Sequence, residues 1–131
     1  MHKLLTGRRK EFPTLRQYKG LSGFPDPKES EYDPFISGHS GHAISAALGI
    51  SCADKIKGID DRKAIAIVGD AAIGAGMSLE ALNHAGHLKR NLIVILNDNK
   101  MAISGTVGAI AKHLNKIRTS PLYTDFKKEE I

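Results

Sequence analysis

The chain has 131 residues, with 19 Lys and Arg against 14 Asp and Glu, a net charge of +5 and a single cysteine. One cysteine rules out an internal disulfide, and no apolar run approaches the roughly 18 residues of a membrane-spanning helix. The cations are dispersed apart from Arg8-Arg9-Lys10, and the few aromatics do not alternate with them, which argues against a nucleic-acid partner. The length is that of one domain, and the composition fits a cytoplasmic protein. A plastid transit peptide ahead of residue 1 is kept as an alternative.

Residues 1–37 carry Gly20, Gly23, Pro25, Pro27 and Pro34 among many charges, and are expected as a loop-rich segment of the same domain. Ser40 is a suitable amino cap for the Ala-rich helix that should follow, over Ala43 to Lys57. That helix should pack through Ile44, Ala47, Leu48 and Ile56, with Cys52 as a small buried hydrophobe. Ala64–Val68 (AIAIV) and Leu92–Leu96 (LIVIL) are short continuous apolar runs, the pattern of strands buried on both faces. The segment between them is long enough for a crossover helix, whose apolar face would be Met77, Leu79, Leu82 and Ala85 and whose end Gly86, Lys89 and Arg90 mark. A last helix is expected over Val107 to Ile117. The fold class is therefore α/β, a βαβ core of a partial parallel sheet with flanking helices. Two strands make a small sheet, so exposed apolar surface is expected where further strands or a second protomer would pack.

In a parallel pair both strands point the same way, which puts Gly69-Asp70 and Asn97-Asp98-Asn99 at one carboxyl edge, where ligands of open α/β sheets bind. Magnesium takes hard oxygen ligands and is commonly shared between a few protein groups and substrate phosphates. Asp70 offers charge, Asn99 a neutral oxygen, and a backbone carbonyl just beyond Asn99 a third ligand. The small residues Ala71, Ala72, Gly74, Ala75 and Gly76 let a diphosphate reach the backbone and the next helix amino end. Gly69 to Gly74 lacks the Gly-Lys-Ser/Thr ending of a P-loop, and Gly74 and Gly76 do not extend to a dinucleotide fingerprint.

Gly-Asp followed by Asn-Asp-Asn at this spacing resembles the thiamine diphosphate signature. HKLLTGRR at 2–9, FPTLRQYKGLSGFP at 12–25, ESEYD at 29–33, GHSGHAISAALGI at 38–50, EALNHAGHL at 80–88 and NLIVILNDNKMAIS at 91–104 narrow it further. Together these segments resemble the 1-deoxy-D-xylulose-5-phosphate synthases, over nearly the whole chain and in the family's order. The resemblance implies a parallel-sheet thiamine diphosphate-binding fold and a transferase of isoprenoid, thiamine and pyridoxal synthesis. Such an enzyme decarboxylates pyruvate and joins the remainder to glyceraldehyde 3-phosphate, as a homodimer using thiamine diphosphate and Mg2+.

Carried over by position, the resemblance makes Asp70, Asn99 and the Met101 carbonyl the magnesium ligands. Gly38, His39 and Ser40 would line the cofactor pocket, His2 would be a further contact near the thiazolium, and the backbone of Ala71 and Ala72 would face the diphosphate. His2 and His39 are the candidates for proton transfer or substrate positioning. His42, His84, His87 and His113 read as surface or packing residues.

Two positions depart from the family pattern: Ala71 stands where it has Gly, and Gly41-His42 where it more often has small hydroxyl residues. The synthases are several times longer than this chain, so it reads as an internal piece of their first domain. The resemblance places the glutamate that activates the cofactor in a second domain, so the chain alone is expected to be inactive. The alternative is a non-catalytic cofactor-binding or assembly fragment.

Overall fold

A computed structural model describes residues 2–36, 38–98 and 108–120, which fall into two compact units, Met1–His39 and Ser40–Ile131. The first unit contains a short helix α1 (His2–Leu5) and a single 3-10 turn, Phe12–Thr14, that starts on Pro13's fixed φ. The rest of its described chain runs in turns and extended segments. Among its described residues Leu21 is the one buried apolar side chain, whereas Lys3, Arg8 and Asp33 are all buried. This unit is organised around charge.

The second unit runs α2 (Ala43–Ile56), β1 (Ala64–Gly69), α3 (Gly76–Leu88), β2 (Leu92–Asn97) and α4 (Ala109–Arg118). The two strands pair in parallel, Ala64 opposite Leu92 through Gly69 opposite Asn97, so α3 is the crossover of a βαβ unit. This is a partial α/β fold of the expected class. Its core gathers Ile44 and Ala47 of α2, Ala64, Ala66 and Val68 of β1 and Ala81 of α3, with Leu82, Leu92, Val94 and Leu96 packed against them. Small side chains on the strand let α2 approach the sheet closely.

Several expectations are corrected here. The strands are covered on one face only. Ala64, Ala66 and Val68 are buried, while Ile65 and Ile67 are 56% and 66% exposed and Ile93 and Ile95 nearly half exposed. The opposite face is thus an apolar surface of four isoleucines. Ile56 is 88% exposed, because it is the last residue of α2 and lies beyond the face formed by Ile44, Ala47 and Leu48. Cys52 is half-buried rather than enclosed.

Ser40 does not cap α2. The cap position is His42, with no side-chain bond to the first turn, and Gly41 turns the chain at φ +89° between the two. The buried face of α3 is Ser78, Ala81, Leu82 and Ala85 rather than Met77 and Leu79, which are exposed. Ser78, although polar, starts the i, i+3, i+4, i+7 row of that face.

Helix ends follow local chemistry. Past α2, Gly58 at φ +71° lets its amide reach the Lys55 carbonyl (3.1 Å) and the Ile59 amide the Asp54 carbonyl (2.9 Å), a complete Schellman closure. α3 runs through Gly86 and stops at Leu88, with Lys89 in the left-handed conformation. The last helix begins at Ala109; Val107, expected as its start, lies outside the described residues. Among the described residues no helix is long and apolar enough to cross a membrane.

The contrast between Ile44 and Ile56 is directly testable. Ile44→Ala should lower the unfolding free energy by about 2–5 kcal/mol, and Ile56→Ala by no more than about 0.5 kcal/mol, in denaturant titration followed by circular dichroism.

Candidate functional site

The carboxyl edge of the two strands is built by backbone geometry. Beyond Gly69 the chain turns sharply, with the amides of Ala72 and Ile73 both donating to the Gly69 carbonyl at 3.0 Å and Ala75 donating to Ala72 at 3.1 Å. Asp70 is tied to the neighbouring strand, its amide donating to the Asn97 carbonyl at 3.2 Å. Asp70, half-buried, therefore stands beside the end of β2, from which the chain continues into exposed Asp98. Asn99 and Met101 lie outside the described residues.

Space and polarity at this edge suit an anion bridged by a hard cation. A Cβ added at Gly69 or Gly76 would meet nothing within 4 Å, and at Gly74 only the Ala71 carbonyl at 3.7 Å. Ala75, the cap residue of α3, has no side chain to satisfy the first-turn amides, which leaves the positive end of the helix dipole uncapped by side chains. Ala71 is exposed, and its φ is not in the left-handed region, so alanine is unstrained in place of the family's glycine. Ala72 is half-buried beside the core.

The two loops of this unit meet at one residue that sequence reasoning missed. Ser78, fully buried, donates from Oγ to the carbonyls of Gly41 and Ala72, each at 2.9 Å. Gly41 sits so close that a Cβ on it would lie 2.7 Å from the Ala75 Cβ, and its φ is +89°. A side chain at position 41 would therefore strain this turn and crowd Ala75, and glycine avoids both. Ser40, one residue earlier, is exposed. The helical period places Ser78 on the buried face, but its polarity hides its role in the sequence, because one of its partner carbonyls lies 37 residues away.

In the first unit, His2 is held by a buried ionic cluster. Its Nε2 donates to Asp33 Oδ1 at 2.7 Å, and its side chain remains 49% exposed. Asp33, 1% exposed, also accepts from Arg8 through Nη1 (2.6 Å) and Nη2 (2.8 Å) and from the Asp26 amide (2.8 Å). Glu29 accepts from Lys3, from the Ser22 amide and from Arg8 (3.4 Å). The bidentate guanidinium of Arg8 holds the Asp33 carboxyl far below the usual carboxylate range despite its burial, with the Asp26 amide and His2 adding to it. Burial pushes the Glu29 carboxyl up, but the bonds from Lys3 and Ser22 and the charges of Lys3 and Arg8 together bring it below its ordinary value. Asp33 in turn raises the Arg8 pKa, chiefly through the hydrogen bonds, against the opposing effect of burial. Gly38 is exposed, but an added Cβ there would lie 2.9 Å from the Phe24 ring; His39 is exposed.

Comparison with known proteins decides the family. The family model described as 1-deoxy-D-xylulose-5-phosphate synthase matches residues 1–131. The chain belongs to the 1-deoxy-D-xylulose-5-phosphate synthase family. Among its relatives, the synthase of Desulforudis audaxviator is 54% identical over 129 residues, covering 98% of this chain and 20% of the relative. That of Pelotomaculum thermopropionicum matches equally, at 54% over 129 residues, again 98% of this chain and 20% of the relative. That of Desulfotalea psychrophila is 60% identical over 116 residues, 88% of this chain and 18% of the relative. The chain thus spans about a fifth of the length of the synthases it matches.

The charged cluster of this synthase segment predicts a pH response. Because the folded-state pKa values of Asp33 and Glu29 are depressed, their contribution is complete above the ordinary carboxylate range and is lost as pH falls from about 4 downward. Amide exchange, corrected for intrinsic rates, should show the Ser22 and Asp26 amides losing protection progressively as pH falls below about 4, with Asp26 the more resistant because Asp33 is the more strongly depressed. Over the same range β1 and β2 should keep theirs. Asp33→Asn should remove the Asp26 protection already at pH 7.

Proposed function

We propose that this chain forms the magnesium and diphosphate wall of a thiamine diphosphate site. The reaction served would be that of the full-length synthases, the decarboxylation of pyruvate and joining of its two-carbon remainder to glyceraldehyde 3-phosphate. The observation that carries this reading is the placement of Asp70 at the carboxyl edge of a parallel pair, bonded through its amide to Asn97. Open backbone and an uncapped helix amino end lie beside it.

On this reading Asp70, Asn99 and the Met101 carbonyl hold Mg2+, a hard-oxygen set in which the phosphates complete the octahedron. The amides of Ala71 and Ala72 and the first turn of α3 face the diphosphate. Gly38, His39 and Ser40 line the cofactor, and His2, oriented by the buried Asp33 carboxylate, presents an imidazole with one nitrogen engaged. When bound, thiamine diphosphate supplies the electron sink for decarboxylation, while the protein binds and orients it. The resemblance implies that the glutamate activating the cofactor belongs to a second domain, and on this reading residues 1–131 hold the cofactor without turning it over by themselves. Homodimer formation and a cytoplasmic location belong to the same proposal.

The exposed face of Ile65, Ile67, Ile93 and Ile95 favours a second reading, a non-catalytic segment whose role is assembly. Titration calorimetry separates the two. Thiamine diphosphate should bind only with magnesium present, and Asp70→Ala should abolish that binding without unfolding the chain. Ala71→Gly should leave affinity within about twofold, since Ala71 is unstrained. Binding unaffected by Asp70→Ala, or none at all by the folded chain, would favour assembly.

A further inference from the structure

Two loops of the second unit close on the amino end of α3, and a single hydroxyl joins them. Ser78 Oγ lies 2.9 Å from the Gly41 carbonyl, next to Ser40, and 2.9 Å from the Ala72 carbonyl, two residues after Asp70. One proton serves both acceptors, and Ser78 is fully buried, so water does not substitute for either bond. Directly beside this junction, Gly41 and Ala75 are packed so tightly that even a methyl on Gly41 would collide. The Ala72 carbonyl also accepts the Ala75 amide at 3.1 Å, so the same oxygen ends the Gly69–Ala75 turn and receives the cross-loop bond. The Asp70–Ala75 loop is tied to the sheet by the Asp70 amide on the Asn97 carbonyl and by Ala72 and Ile73 against the core. Ser78 carries that fixed position across to the Gly41 carbonyl.

We propose that Ser78 is a positioning residue that fixes the distance between the Ser40-Gly41 loop and the Asp70–Ala75 loop, so that both face one diphosphate ligand in register. The inference rests on the reading of this edge as a magnesium–diphosphate site and adds a residue to it that touches neither ligand nor metal. Pre-organisation is the physical content: two loops already spaced for the ligand lose less freedom on binding than two that must be brought together.

The test uses the full 131-residue chain with Ser78→Ala, which removes the hydroxyl and keeps the helix. Gly41→Ala is the second variant: it keeps the hydroxyl and forces the loops apart at the 2.7 Å contact. Far-UV circular dichroism should be unchanged in both. Without ligand, amide exchange should quicken at Gly41–His42 and Ala72–Ala75 but not in β1 or β2. Magnesium-dependent binding of thiamine diphosphate should weaken roughly 5–30-fold, the range for one buried hydrogen bond lost. Unchanged exchange in Ser78→Ala overturns the proposal, as does faster exchange with unchanged affinity, which would make Ser78 a packing residue. Should Ser78→Ala not fold, unchanged affinity in Gly41→Ala overturns it instead. Absence of binding by the unmodified chain would overturn the reading of the edge, and the exchange data would then judge the clamp alone.

Discussion

Six backbone pairs, from Ala64 with Leu92 to Gly69 with Asn97, hold β1 and β2 in parallel, and the site inherits its geometry from them. A parallel pair requires a crossover, and α3 is that crossover, so the turn after Gly69 must lift the chain from the sheet and start a helix within a few residues. The start of the helix is thereby brought to the same edge as the end of β2. Asp70, its amide bonded to Asn97, stands between the two. A one-residue slip in register would break the Asp70–Asn97 bond and turn Ala64, Ala66 and Val68 away from α2. Burial of the small face of β1 and placement of the carboxylate are consequences of one pairing.

The two units solve the problem of internal cohesion differently. Around the strands, apolar burial dominates, with Ile44 fully enclosed at the centre. In residues 2–36 the enclosed groups are charged: Arg8 grips Asp33 with two nitrogens, and Lys3 and Arg8 share Glu29. Buried ion pairs of this kind are costly to break singly, because the partner left behind is a desolvated charge. The cluster therefore specifies one arrangement of a chain rich in turns. It also fixes the His2 ring, whose proton-bearing Nε2 faces Asp33.

Local regularity made the second unit legible from sequence. The apolar runs AIAIV and LIVIL became β1 and β2 nearly residue for residue, and the Ala-rich stretch became α2. What periodicity could not tell was coverage: a continuous apolar run looks the same whether one face or two are packed, and here Ile65 and Ile67 are exposed. Polar residues with long-range roles were equally hidden. Ser78 is buried because a carbonyl 37 residues away comes to it, and Asp33 because Arg8, 25 residues earlier, does. The motifs HKLLTGRR and ESEYD were visible as family landmarks, but their mutual pairing is a property of the fold. Asp70 is described where the sequence placed it, while Asn99 and Met101 lie outside the described residues.

Manganese relaxation would locate the cation most directly. With Mn2+ in place of Mg2+ and thiamine diphosphate present, amide resonances of residues 69–76 and 97–98 should broaden. Those at the opposite end of the strands, residues 57–63 and 89–91, should stay sharp. Broadening centred on the opposite end, or spread evenly over the acidic residues of the surface, would contradict a cation held by Asp70 at the carboxyl edge.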